Sequence, residues 1–203
     1  MKLFGHPFSS NSRRVQMLCE ELKVAYDYRL VDLAKLQQHS AEFLAINPNG
    51  KVPVIDDAGF VLWESQAIMR YLAIRERAEE LYPQAAQPRA RIEQWLDWNA
   101  TSLGPAAGRL WYNTVLAPPT QRDEAAMVDS KRLLGKALPI LEVALARHPF
   151  VAGDKLTLAD IALAPNFAYL EMCRFDLAAH PAIASWYGRM AARESFKKTA
   201  PAH

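Results

Sequence analysis

A mixed α/β domain followed by an all-α domain is the architecture this sequence predicts, and three observations lead to it. Over the first 78 residues the hydrophobic spacing alternates between the period of a strand and that of a helix; beyond residue 88 only the helical period recurs. Between them, Leu81-Tyr82-Pro83-Gln84-Ala85-Ala86-Gln87-Pro88 has the composition of a linker. The expected division is therefore a first domain over 1–78, a linker over 79–88 and a helical domain over 89–203.

Lys2 to Phe4 is short and apolar, as in a strand, and Val15, Leu18, Cys19 and Leu22 then recur at helical spacing. Tyr26 to Val31 alternates as a second strand. Ala41 to Ile46 suits a brief helix closed by the turn Asn47-Pro48-Asn49-Gly50. Val52 to Ile55 and Phe60 to Trp63 flank Asp56-Asp57-Ala58-Gly59 as a hairpin, and Ser65 to about Arg75 carries Ile68, Tyr71, Leu72 and Arg75 on one helical face. The order is β-α-β, a connection, then β-β-α. Past the linker, Ile92, Trp95, Leu96, Asn99 and Leu103 mark a helix with a kink expected near Gly104-Pro105, where proline removes a ladder donor. Thr120-Gln121-Arg122-Asp123 fits a capping box opening a long helix through Leu133, Leu134, Leu138 and Leu141, with Pro139 as a bend point. Thr157-Leu158-Ala159-Asp160 fits a second box, and a last helix carries Ile183, Trp186, Tyr187 and Met190.

Composition excludes several function classes. With 51% hydrophobic and 23% charged residues and no biased tract, the 203-residue chain can bury a core and is not disordered. Lys plus Arg number 24 against 22 Asp plus Glu, and this net charge of +2 without a basic run gives no footprint for nucleic acid. The N-terminus lacks a secretory apolar stretch and nothing approaches the roughly 18 apolar residues of a membrane helix, so a cytoplasmic protein with no membrane partner is expected. Cys19 and Cys173 lie far apart and outside any metal-ligand spacing, which suggests neither a disulfide framework nor a metal site.

Candidate chemistry concentrates at element ends of the first domain. The loop Gly5-His6-Pro7-Phe8-Ser9-Ser10-Asn11-Ser12 places hydroxyls and an amide just before a helix, where unpaired N–H groups and the positive dipole end favour an anion such as a thiolate. Ser9 or Ser12 acting only as a helix cap is the structural alternative. Ser65 can cap its own helix while its N–H and hydroxyl meet a ligand carboxylate, with Glu64 available for an ammonium. Pro53 after Val52 blocks ladder pairing inside a strand pattern and frees the Val52 backbone for a peptide-like ligand, the alternative being an ordinary edge-strand proline.

Taken in order, GHPFSSNSRRV, NPNGKVPV, WESQAI and, in the helical half, GDKLTLADIA resemble the cytosolic glutathione transferase family, and the match covers essentially the whole chain. The resemblance implies a thioredoxin-like N-terminal domain that binds glutathione as co-substrate, a helical substrate-binding domain and a homodimer. Position by position, it implies that Val52 pairs its backbone with the cysteinyl unit, that Pro53 is the fold's cis-proline, that Glu64 and Ser65 hold the γ-glutamyl end and that Lys51 lies near the glycyl carboxylate. Many relatives use a histidine for that end at the position of Gln38, whereas here His39 stands one place later, which leaves open which of the two serves, if either. Phi- and theta-like enzymes place a serine at Ser9; nu-like enzymes place a threonine there and an asparagine at Asn11; zeta-like isomerases have Ser-Ser-Cys-Ser where this chain has Ser9-Ser10-Asn11-Ser12. No counterpart of the family's catalytic tyrosine or cysteine stands in the loop, and Cys19 falls on an apolar stripe as inert packing.

The resemblance thus implies attack of the glutathione thiolate, held by Ser9 and Asn11, on a small apolar electrophile. Phe8 and, in the helical domain, Arg109, Trp111 and Tyr112 are candidate pocket residues, with aromatic core packing as the alternative. Asp160 reads as a cap rather than an acid catalyst. Two other readings stand beside conjugation. One is isomerisation of a maleyl-type diacid, with Arg13, Arg14 or Arg109 on the substrate carboxylates; the other is a binding protein without catalysis.

Overall fold

The computed structural model of the chain describes residues 1–201. It divides into two compact units: Met1–Tyr82 together with the tail from Glu194 onward, and Pro83–Arg193.

The first unit is built on a four-stranded sheet. β1 (Lys2–Gly5), β2 (Asp27–Leu30), β3 (Val54–Asp57) and β4 (Phe60–Trp63) lie in the order β2-β1-β3-β4, with β2 parallel to β1 and the other pairs antiparallel. α1 (Ser10–Leu22) supplies the parallel crossover and packs against α3 (Ser65–Arg75). Leu3, Val15, Leu18, Ile55, Ile68, Met69 and Leu72 are all fully buried. Phe4 and Val54, on the opposite sheet face by strand alternation, join Val31 and Phe43 of α2 (Ala41–Ile46) in a second cluster. Tyr71 and Arg75 of α3 both donate to the Asp57 carboxylate, the tyrosine at 2.7 Å, tying the helix to the β3–β4 hairpin.

Three features of this unit differ from the expected reading. β3 begins at Val54 rather than Val52, because Pro53 has no N–H to give the ladder and the Val52–Pro53 bond is cis. Ser65 does not cap α3: Glu64 takes the cap position, with no side-chain cap bond. Finally, the chain from Glu194 does not belong with the helical domain. A short helix, α9 (Glu194–Lys198), packs on α1; the Arg13 guanidinium donates to the Phe196 carbonyl at 2.9 Å and lies 3.9 Å over its ring, and the Ser195 hydroxyl donates to Glu21 at 2.5 Å. A segment this short and polar carries no periodicity that would reveal its partner.

The second unit is helical: α4 (Ala86–Trp98), α5 (Gly104–Trp111), α6 (Glu124–Arg147), α7 (Leu158–Met172) and α8 (Pro181–Ala191). Proline and alanine at 85–88 start α4 rather than forming a linker, since Pro88 sits in the first turn, where its missing N–H costs nothing. The interruption before Pro105 is a π-helical turn, Asn99–Leu103, that keeps helical dihedrals through Gly104. A Cβ on Gly104 would lie 2.8 Å from the Asn99 carbonyl oxygen, so the tight turn requires glycine. α6 is capped by Asp123, whose side chain accepts from Ala126 N–H at 2.9 Å, and not by Thr120, because residues 119–121 form a separate 3-10 turn. α7 is apolar almost all round and buried, as a central helix must be. Its capping box is present, and Asp160 also accepts from Val151 N–H at 2.8 Å and Trp186 Nε1 at 2.9 Å. No described helix is long and apolar enough to cross a membrane, and no group of three metal-ligating side chains occurs among the described residues.

Candidate functional site

Strand register gathers the candidate residues. Phe4 pairs with Val54 and Val54 with Trp63, while Gly5 pairs with Leu30 in parallel. The loop after β1, the segment after β2, the Val52–Pro53 step before β3 and Glu64 after β4 therefore all emerge at one end of the sheet. Sequence positions near 9, 38, 52 and 64 are neighbours through four hydrogen-bonded strands and not through any local motif.

At this end Ser9 is the N-cap of α1, and its hydroxyl oxygen accepts from Ser12 N–H at 3.2 Å. Ser12 Oγ in turn accepts from His6 N–H at 3.2 Å, and Ser9 N–H donates to the His6 carbonyl at 2.9 Å. Both serines thus act as local braces. The Ser9 hydroxyl hydrogen is not consumed by the cap and remains to be donated. Asn11 is exposed in the first turn, and its Oδ1 accepts from the buried Ser65 hydroxyl at 3.5 Å, linking α1 and α3 across 54 residues of sequence. With Oδ1 placed toward Ser65, the Asn11 donors are its Nδ2 hydrogens.

Glu64 adopts φ 72° and ψ 110°, a conformation that side-chain-bearing residues rarely hold, while its carbonyl accepts the first helical bond, from Ile68, at 2.9 Å. The strain, about 1–3 kcal/mol, sits at the start of a helix whose first N–H groups have no side-chain cap. α1 and α3 together direct two positive dipole ends at the same region, and neither has an acidic residue in its first turn.

The remaining candidates cluster around one turn. The Asn47 amide donates to the Lys51 carbonyl at 2.6 Å and accepts from Asn49 N–H at 3.0 Å, which shapes the approach to Val52. Gly50 has φ 59°, and a Cβ there would stand 2.8 Å from His39 Nδ1 and 3.2 Å from the Gln38 carbonyl, so the 37–39 turn lies against this glycine. Gln38 Oε1 is buried without a hydrogen-bond partner among the described residues; His39 and Lys51 are exposed. Val52 is half-buried and Pro53 buried.

The other candidates include Phe8, in the same loop as Ser9, and residues of the second unit. Phe8 is half-buried, its ring 6.0 Å from that of His6. In the second unit Trp111 is buried and stacked on Tyr169 at 4.4 Å, a core contact. Tyr112 is exposed, and Arg109 meets Asp129 at 3.5 Å on the rim of a recess shared with Trp98, Leu133, Lys136 and Ile140. Arg13 and Arg14 are buried, and Arg13 donates to the Phe196 carbonyl, which argues against both as cationic donors to a diacid substrate. Cys19 is fully buried and its thiol is pushed up to about 12 by burial, so it is no thiolate at neutral pH. Sequence reasoning missed the Asn11–Ser65 bond and the strained Glu64 backbone; both depend on register, and the only local hint of the second was a charged residue at a strand-to-helix junction.

A mixed β-α-β…β-β-α sheet with a cis-proline before its third strand and two helix N-termini converging at one sheet end defines a thioredoxin-like domain, here joined in sequence to a helical one. Residues 1–74 match the glutathione S-transferase N-terminal domain and residues 104–194 the C-terminal domain. Glutathione S-transferase GstB of Escherichia coli is 33% identical over 198 residues, covering 97% of this chain and 95% of that protein. Human glutathione S-transferase theta-2B is 33% identical over 197 residues, covering 95% and 81%. The crystal structure of a theta-class glutathione S-transferase from Xanthomonas axonopodis pv. citri with glutathione bound superposes with a TM-score of 0.92 at 31% identity, covering 100% of this chain and 97% of that one. The chain belongs to the glutathione S-transferase family.

Proposed function

We propose that this enzyme transfers the glutathione thiolate to small apolar electrophiles, with Ser9 and Asn11 stabilising the sulfur. The observation that carries the reading is the convergence of Ser9, Asn11, Val52, Glu64 and Ser65 at one sheet end by strand register. The Ser9 hydroxyl, the Asn11 Nδ2 hydrogens and the first N–H groups of α1 donate to the sulfur, and bonds to an ionised acceptor are the stronger kind. Lowering a thiol near pKa 8.5 by about two units requires about 2.7 kcal/mol, which such donors supply without a general base. The thiol proton leaves to solvent, sulfur forms its bond to the electrophilic carbon, and the displaced group departs with the electron pair of the bond that breaks.

Glutathione, the co-substrate, lies in this reading with its cysteinyl backbone on Val52, its γ-glutamyl carboxylate on Ser65 N–H and its ammonium on Glu64. The glycyl carboxylate goes to Lys51, with Gln38 and His39 beside it. The homodimer and the cytoplasmic setting expected from the resemblance belong to the same proposal. Phe8 is the electrophile-contact candidate of the first unit and Arg109 and Tyr112 are those of the second, while the stacking of Trp111 favours a packing role for that ring.

Titrating the thiolate absorbance of bound glutathione in separate Ser9→Ala and Asn11→Ala variants tests the assignment. Removal of the principal donor raises the thiol pKa by about one unit or more. Unchanged values in both variants eliminate both roles.

A further inference from the structure

We propose that His6 is a positioning residue for this site: its neutral ring accepts the Phe8 backbone N–H at Nδ1 and so holds the 6–9 loop in the shape that presents the Ser9 hydroxyl. The inference rests on the assignment of Ser9 as a sulfur ligand. Three contacts of one residue support it. His6 N–H donates to Ser12 Oγ at 3.2 Å, its carbonyl accepts from Ser9 N–H at 2.9 Å, and its Nδ1 accepts from Phe8 N–H at 3.3 Å. Because Ser12 N–H also donates to Ser9 Oγ at 3.2 Å, these bonds form a closed circuit from His6 through Ser12 to Ser9 and back. Pro7, inside the circuit, contributes no donor. Backbone contacts alone could be made by any residue at position 6; the Nδ1 contact is the part that requires this side chain.

The contact also sets the proton's place. An Nδ1 that accepts leaves the ring hydrogen on Nε2. A doubly protonated ring would point N–H at N–H, losing the bond. Burial disfavours that state and holds the ring below its usual value, opposed by Asp32 on the segment after β2. Tyr28 on β2, beside Gly5 and Ser12, stays neutral because burial pushes its hydroxyl up. The loop is therefore intact at neutral pH and loosens only as pH falls below the ordinary imidazole range.

The test combines tautomer, pH profile and thiol titration on the full-length enzyme with glutathione and an aryl halide. Nitrogen-15 spectra of the histidine-labelled protein near pH 7 should show the His6 proton on Nε2. In the wild type the acid limb of kcat/KM should fall with two protons, one from the thiol and one from the ring. His6→Asn retains an acceptor at the same place but cannot be protonated; it should keep kcat/KM within about twofold at neutral pH and show a one-proton limb. His6→Phe has no acceptor; kcat/KM should drop by roughly 3- to 10-fold and the bound thiol pKa should rise. A proton on Nδ1, a His6→Phe enzyme with wild-type thiol pKa, or a His6→Asn enzyme that behaves like His6→Phe overturns the proposal. Should His6→Phe fail to fold, the tautomer and His6→Asn decide. Ser9→Ala separates the two levels: a raised thiol pKa there with none in His6→Phe sinks only the role of His6, whereas no change in Ser9→Ala removes the Ser9 assignment on which that role stands.

Discussion

The starts of α1 and α3 in the first unit and the start of α7 in the second use the same kinds of residue to opposite ends. At α7, the Thr157–Asp160 box closes on itself, and the Asp160 carboxylate also receives Val151 N–H and the Trp186 indole, all of it buried. The Thr157, Ala159, Val151 and Trp186 donors there all go to buried protein acceptors. At α1 and α3, Ser9 accepts but keeps its hydrogen, Asn11 keeps its amide donors, and Glu64 supplies no side-chain cap at all. A hydroxyl or carboxylate at a helix start marks a site only where the local hydrogen bonding is left incomplete on a surface that a ligand can reach.

This contrast can be broken experimentally, most forcefully at its satisfied end. Asp160→Ala leaves several buried donors without an acceptor and should destabilise the protein by about 3–5 kcal/mol in urea unfolding, with glutathione affinity unchanged in the molecules that remain folded. A small stability loss would mean that the buried carboxylate is not the hub of that helix start. Glu64→Gly should behave in the reverse manner. Removing the carboxylate weakens glutathione binding by about tenfold to a hundredfold, while relief of the left-handed strain leaves stability equal or raises it by up to about 1 kcal/mol. Calorimetry and unfolding on the same sample read both quantities, and a parallel loss of the two would show Glu64 to be structural. Gly50→Ala should have the smallest effect, about 1 kcal/mol of stability from its positive φ, together with a higher KM for glutathione as the Val52 approach shifts. A changed KM for the electrophile alone would contradict the placing of that turn.

Much of the first unit was legible in the sequence because its signals are local. The turn at Asn47–Gly50, the β3–β4 hairpin and the α1 stripe depend on residues within a few positions of one another and all three form, the hairpin with its first strand shifted to Val54–Asp57 and only Ala58 and Gly59 between the strands. The Thr157–Asp160 box is equally local and equally recovered. Thr120 fits a capping pattern but does not cap, because the pattern does not reveal that a 3-10 turn intervenes and passes the role to Asp123. The return of the tail to the first unit had no local signal: its anchors, Arg13 and Glu21, are 183 and 174 residues away in sequence.

For the candidate site, amino-acid order alone settles the chemical types on hand: hydroxyls and an amide before a helix, a proline that cannot join a ladder, a carboxylate beside a serine. Such choices are dictated by short-range backbone and side-chain physics. Which of these groups meet, which hydrogens stay available and which arginines are buried emerged only in three dimensions. Those outcomes depend on strand pairing between segments tens of residues apart, and a one-residue slip in any ladder would turn each side chain to the other face of the sheet.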